Sequence, residues 1–144
     1  MTLGKAQRTG AKTTVKANAK EILYGTANGY LGQLLMDTDS IHRGWVVEPG
    51  MNRTGGIHCI SAKVDFTKTG INDIVVGRDD GSIEVYAALT PEIAPQLVYQ
   101  KCIGESISTI DAGFVTSTVM EDIIVQTFSG KLPLNHNQRG QPCA

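Results

Sequence analysis

The stretch Asp73 to Tyr86, DIVVGRDDGSIEVY, constrains this chain more than any other because its pattern recurs. It holds two short β-branched runs around an Asp80-Gly81 step. Ile74-Val75-Val76 is apolar throughout, as in a strand buried on both faces. Ile83, Val85 and Ala87 alternate with Ser82, Glu84 and Tyr86, the period-2 pattern of a return strand. Asp-Gly predicts a two-residue hairpin turn with φ > 0 at both central positions, which Gly accepts freely and Asp tolerates.

The same hairpin is written at Glu21-Ile22-Leu23-Tyr24-Gly25-Thr26-Ala27-Asn28-Gly29-Tyr30-Leu31. It is written again at Asp122-Ile123-Ile124-Val125-Gln126-Thr127-Phe128-Ser129-Gly130-Lys131-Leu132. Each copy reads acid, three apolar residues, five variable positions ending in Gly, one more residue, then an apolar one. The turn glycines Gly29, Gly81 and Gly130 follow one another at intervals of 52 and 49 residues. A period near 50 in an all-β chain points to propeller blades, one four-stranded sheet each. A β-sandwich also contains hairpins but has no reason to repeat at one blade length. The expected fold is therefore all-β: a partial β-propeller of about two to three four-stranded antiparallel blades, part of a larger closed propeller.

A length of 144 residues suits one domain, and 41% hydrophobic content suits a packed core rather than a disordered chain. No apolar run is long enough to span a bilayer, and no apolar segment of signal-peptide type follows Met1. Cys59, Cys102 and Cys143 are scattered, odd in number and without a CxxC pair. That argues against zinc and a disulfide scaffold, and for reduced thiols in the cytoplasm. The net charge of −1 argues against nucleic acid. Lys5, Arg8, Lys12, Lys16 and Lys20 stand in a stretch without acids, and such a tail can touch anionic lipid or an acidic partner. The plainer reading is a solvated leader.

Three segments follow. Residues 1–20 are a basic, mostly irregular leader, with Thr13-Thr14-Val15 as a remnant of an inner strand. Residues 21–134 are the partial propeller. Residues 135–144 are an irregular tail. Within the propeller, Ile41 to Glu48 forms the outer strand of the first blade. Ile57 to Val64 opens the second, with Ile57, Cys59, Ala62 and Val64 facing inward. Leu89 to Pro95, with two prolines, is a linker, and Pro91 to Ala94 suits a single turn. Gln96 to Cys102 closes the second blade. Ser106 to Ile110 opens the third.

Several groups of residues suggest chemistry and then fall short of it. Asp65-Phe66-Thr67-Lys68-Thr69-Gly70-Ile71-Asn72-Asp73 has the outline of a calcium loop, with oxygen donors at alternate positions, a turn Gly and a final acid. Only two carboxylates remain in it and Lys68 intervenes, so Asp65 and Thr67 are expected to fix a turn instead. Asp79 and Asp80 look like paired acids but sit on a hairpin tip, where burial is too slight to split their pKa values. His42, His58 and His136 have no partner at ligand spacing, and His58 and Cys59 point to opposite faces of a strand. Ser106 and Ser108 lie in no GxSxG elbow. Asn52-Arg53-Thr54 matches a glycosylation sequon and is read as plain loop. Trp45 is expected to pack between blades. No catalytic, cofactor-binding or metal-binding residue is assigned, no cofactor is expected, and the chain is read as not an enzyme.

The second blade carries a resemblance. Its residues are Gly55-Gly56-Ile57-His58-Cys59-Ile60, then Asp73 to Tyr86, then Glu105-Ser106-Ile107-Ser108-Thr109-Ile110. Ile22 to Gly29 and Glu121 to Thr127 match in the same order. Together they resemble the amino-terminal β-propeller of the Bardet–Biedl syndrome 7 family over roughly residues 20–130. The GRDDG hairpin flanked by GGI and ESI is fairly specific, since generic propellers do not share all three in order. Lys131 to Ala144 departs from that family's continuation.

The resemblance implies a non-enzymatic scaffold or protein-interaction module. Its partners would be other subunits of the BBSome, a coat-like complex that carries membrane-protein cargo to and from cilia. Cargo contact would be indirect and membrane association would come only through the complex. The implied locations are cytoplasm, cilium, basal body or centrosome, and ciliary membrane. The alternative is a calcium-dependent propeller repeat of the integrin (FG-GAP-like) type in an adhesion protein, which needs a competent metal loop and a secreted context.

Overall fold

Each recurring hairpin supplies the two middle strands of an antiparallel sheet. The computed structural model describes residues 20–51 and 55–130, together with the backbone of 2–4 and 134–135. Blade one is ordered β1-β2-β3-β4, from β1 (Thr2–Gly4), β2 (Lys20–Gly25), β3 (Leu31–Met36) and β4 (Ile41–Val47). Blade two is ordered β5-β6-β7-β8, from β5 (Ile57–Ser61), β6 (Ile74–Arg78), β7 (Ser82–Ala87) and β8 (Gln96–Cys102). Blade three is β9 (Ile107–Gly113), β10 (Asp122–Thr127) and β11 (Leu134–Asn135), with β10 in the middle.

The sheets meet through their first strands. β5 packs against β1 and β2, and β9 packs against β5 and β6. Three successive sheets stacked this way, none closed on itself, form a partial β-propeller, as the repeat predicts. Alternation along β6 and β7 explains the stacking. Ile74, Val76 and Tyr86 join Leu23, Leu31, Trp45 and Ile57 in a core between blades one and two. Val75, Ile83 and Val85 join Ile107, Ile110, Ile123 and Val125 in a second core between blades two and three. Blade two is thus buried on both faces, and each fully buried Ile, Leu or Val contributes about 1.5–3 kcal/mol.

The first and third blades each turn their other face outward. On β2, Leu23 is fully buried while Ile22 and Tyr24, pointing the opposite way, are half-buried. On β10, Ile123 and Val125 are buried and Ile124 is half-buried.

Four local expectations need correcting or refining. The Asp80-Gly81 turn is a three-residue loop, 79–81, and not a two-residue one. Gly81 has φ +87, its N–H bonds the Arg78 carbonyl at 3.2 Å, and Asp80 has no positive φ. This is the three-residue hairpin that ends on a left-handed glycine. Gly29 and Gly130 repeat it, bonding Thr26 O and Thr127 O at 3.1 Å.

Second, the alternation along β7 divides two buried faces: Ser82, Glu84 and Tyr86 are all buried, because their face is pressed onto blade one. Third, the leader read as mostly irregular includes β1, which pairs Thr2 with Gly25 and Gly4 with Leu23. Thr13-Thr14-Val15 lies outside the described residues. Fourth, Cys59 is a free thiol but Cys102 is disulfide-bonded, against the expectation of reduced thiols. Cys143 lies outside the described residues.

Candidate functional site

The densest polar constellation lies at the junction of blades one and two, centred on Arg78. Arg78 ends β6 at the place that Thr26 and Thr127 occupy in the other hairpins. Its side chain runs inward and is 1% exposed. Nε donates to Glu84 Oε2 at 2.9 Å, and one terminal nitrogen donates to Gly29 O at 3.0 Å and Gly55 O at 2.9 Å. The other terminal nitrogen lies 3.5 Å from the Tyr86 hydroxyl, which donates to Glu84 Oε2 at 2.6 Å. One guanidinium therefore ties together the blade-one hairpin tip, the interblade loop and the blade-two hairpin. Burial opposes its charge, but Glu84 and Tyr86 outweigh that and hold Arg78 above its ordinary pKa. Burial, and then the Glu84 charge, push the Tyr86 hydroxyl up to about 12. With charges this well paired, the group fixes the register of the junction.

A second lock lies further out on the same junction. The Pro91 carbonyl, in the linker between β7 and β8, accepts from Trp45 Nε1 at 3.1 Å and Gln33 Nε2 at 2.8 Å. Trp45 itself is in the core between blades one and two, the role expected of it.

The calcium-loop outline resolves into a turn. Asp65 accepts the N–H groups of Thr69 at 3.0 Å and Gly70 at 2.9 Å. Asp73 accepts the Thr67 N–H at 2.8 Å and its hydroxyl at 2.9 Å. Lys68, at φ 57, leaves the loop to pair with Glu121 of blade three at 2.9 Å. The carboxylates are thus spent on backbone donors, and a cation site would need them free. Burial raises the Asp73 pKa against the pull of its Thr67 donors.

Asp122 repeats this clamp. It accepts the Thr116 N–H at 2.8 Å, the Thr116 hydroxyl at 2.9 Å and the Val115 N–H at 3.2 Å. The acid that opens the second and third hairpins therefore has a role that the strand pattern did not reveal. Its signal was present: Thr67 and Thr116 each stand six residues before their acid.

The remaining candidates stay apart. Asp80 Oδ1 accepts the Ser82 N–H at 2.9 Å, a turn role, while Asp79 Oδ2 lies 4.0 Å from His58 Nε2. His58 also meets the Phe128 ring edge-on, with centroids 5.4 Å apart. His42 contacts Ser40 at 2.8 Å, and Ser108 donates to Gln126 O at 3.0 Å. The Ser106 carbonyl accepts from the Phe128 N–H at 3.1 Å. His136 and Asn52-Arg53-Thr54 lie outside the described residues. Among the described residues no three His, Cys, Asp or Glu side chains gather as metal ligands would, and no helix is long and apolar enough to cross a membrane.

Glycines reveal how blades seat on one another. A β-carbon at Gly25 would fall 2.6 Å from Ile57 Cβ, and one at Gly77 would fall 2.7 Å from Ile107 Cγ2. Gly25 and Gly77 occupy the same place in successive repeats. Each leaves a hole that the first residue of the next blade's inner strand fills. The interlocked blades are held further by an internal ion pair and clamped loops.

Comparison with known proteins agrees with this architecture. Residues 4–133 match the family model described as the BBS7 beta-propeller. The chain is 33% identical over 109 residues to the BBSome complex member BBS7 of Mus musculus, covering 76% of this chain and 15% of that protein. It is 35% identical over 113 residues to the BBSome complex member bbs-7 of Caenorhabditis elegans, covering 77% of this chain and 15% of that protein. The chain therefore spans about 15% of the length of the curated relatives it matches. With 130 residues matched to the family model and the blades in the order the repeat predicts, the chain belongs to the BBS7 β-propeller family.

Proposed function

We propose that this chain acts as a non-enzymatic interaction module of a BBSome-type coat. It would contact other subunits of that complex and serve, indirectly, the traffic of membrane-protein cargo to and from cilia. One observation carries the reading: residues 4–133, which hold the three recurring turn glycines, match the BBS7 propeller, and the chain is similar to two BBSome complex members. The polar clusters described above fit it, since their charges and carboxylates hold loops and registers of the propeller.

On this reading the chain itself binds neither nucleic acid nor cofactor. Membrane association comes through the complex, and the chain resides in the cytoplasm, at the basal body or centrosome and in the cilium. The propeller portion is read as residues 21–134, to which Thr2–Gly4 of the leader adds the first strand of blade one, with a tail after it.

The test is affinity purification of the tagged chain from ciliated cells, with quantitative mass spectrometry and imaging of the tag. Enrichment of BBSome subunits over a tagged unrelated propeller, with signal at the ciliary base, supports the proposal. Recovery of no BBSome subunit above that control contradicts it.

A further inference from the structure

The linker between β7 and β8 joins the outer rim of blade two to its junction with blade one. Its Leu89, Glu92 and Ile93 are exposed and Thr90 is half-buried. Blade two is covered on both faces by its neighbours, so the linker lies on the rim of a fully flanked blade. Thr90-Pro91 begins a turn, with Pro at the second position that suits its fixed φ. The turn is closed by the Ile93 N–H on the Thr90 carbonyl at 3.3 Å, long for such a bond. The Thr-Pro step therefore opens readily into the extended form that a kinase cleft takes. It is the only Ser-Pro or Thr-Pro step in the 144 residues.

The cluster behind Thr90 is rich in acceptors. The Pro91 carbonyl, on the residue after Thr90, holds Gln33 Nε2 at 2.8 Å and Trp45 Nε1 at 3.1 Å. Gln33 Nε2 also serves Glu21 Oε1. Gln33 is 1% exposed, and its Oε1 has no donor among the described residues. Pro91 O, Glu21 and Gln33 Oε1 thus crowd around two donors. A phosphate on Thr90 adds about −1.5 to −2 of charge and three more acceptor oxygens beside them. It repels Glu21 and Glu92 and draws the two donors away from Pro91.

We propose that Thr90 is a phosphorylation site for a proline-directed protein kinase, and that its phosphate loosens the seat of the blade-two linker on blade one. Thr90 Oγ1 attacks the γ-phosphorus of ATP, the bond from that phosphorus to ADP breaks, and the hydroxyl proton passes to the base of the kinase. The chain supplies the substrate hydroxyl and the element that responds, a local charge change read by a packed junction. The inference rests on this junction alone and does not depend on assembly into a larger coat.

The test incubates the purified chain with ATP and a mitogen-activated protein kinase, beside a Thr-Pro peptide that reports kinase activity. Mass spectrometry should find one phosphoryl group per chain, on Thr90, and none on Thr90→Ala. Trp45 is the only tryptophan in the chain, so its emission reports on the Pro91 anchor. In the phosphorylated chain that emission should move to the red and the melting temperature should fall by roughly 2–8 °C. Thr90→Ala treated in the same way should keep both. An unmodified chain beside a modified control peptide overturns the proposal, as does phosphate found only on other Ser or Thr residues. Phosphate on Thr90 with emission and melting unchanged overturns the coupling to the junction.

Discussion

Arg78 and Glu84 form an ion pair withdrawn from solvent, with Nε 2.9 Å from Oε2 and the two side chains 1% and 0% exposed. They lie on neighbouring strands of the hairpin whose sequence first marked the repeat. Such a pair is worth little as an isolated attraction, because desolvation offsets most of the Coulomb gain. Its effect is on register: the guanidinium also holds Gly29 O and Gly55 O, so blade one, blade two and the loop between them share one anchor.

Removing either charge alone should be severe. Glu84→Ala leaves a buried guanidinium uncompensated, and a cost of about 3–5 kcal/mol is expected. Arg78→Met with Glu84→Leu should recover part of that loss. Full recovery is not expected, because the Gly29 and Gly55 carbonyls also lose their donor. Urea unfolding of these two variants measures this. A double variant less stable than Glu84→Ala would argue against the pair as described.

Gly81→Val should harm the fold more than Asp80→Ala. Gly81 has φ +87, and a β-carbon there would sit 2.8 Å from both the N and the O of Glu105. A β-branched residue is strained in that conformation before any clash is counted. Asp80→Ala loses only the bond to the Ser82 N–H, about 1 kcal/mol. Thermal melts of the two variants decide it, and equal shifts would count against the hairpin geometry.

The clamps made by Asp73 and Asp122 should be separable by hydrogen exchange. Asp122→Ala frees the Val115 and Thr116 amides, and Asp73→Ala frees the Thr67 amide. Each substitution should speed exchange at its own loop and cost about 1–3 kcal/mol. Unchanged protection at Thr67 and Thr116 would show that the acids do not hold these loops.

Cys59 predicts an alkaline weakness. Burial, only partly countered by the Gly77 contact, raises its thiol from 9.0 to about 12. The native state therefore keeps a proton that the unfolded chain loses near pH 9.0. This stability is fully present below pH 9 and declines as pH rises toward 12, by at most about 1.4 kcal/mol per pH unit. Tyr86 adds a like decline between 10.0 and about 12. Cys59→Ala should flatten the first part of the curve, measured by urea unfolding at pH 8, 9.5 and 10.5. An identical slope in the variant would refute the assignment.

What was legible in the sequence was whatever repeats. The acid, the three apolar residues and the turn glycine recur, so β2, β6 and β10 and their partners could be placed before any coordinates. The sense of each turn could not, because Asp-Gly suits both two- and three-residue loops and the choice depends on where the strands pair. Nor could the fate of Ser82, Glu84 and Tyr86. Alternation identifies two faces of a strand but not whether the polar one meets solvent or another sheet. β1 escaped notice because three residues, Thr2–Gly4, are too few to show a period. The threonines six residues before Asp73 and Asp122 were readable, but only a structure shows that a loop brings each back to its acid.

The central claim is that successive blades seat on one another through Gly25 and Ile57, and again through Gly77 and Ile107. Nuclear Overhauser contacts in a methyl-labelled sample test it most directly. Strong cross-peaks are predicted from the Gly25 α-protons to the Ile57 methyl groups and from the Gly77 α-protons to the Ile107 methyl groups. If contacts within each sheet are strong and either of these interblade pairs is missing, the hairpins exist but the propeller stacking does not.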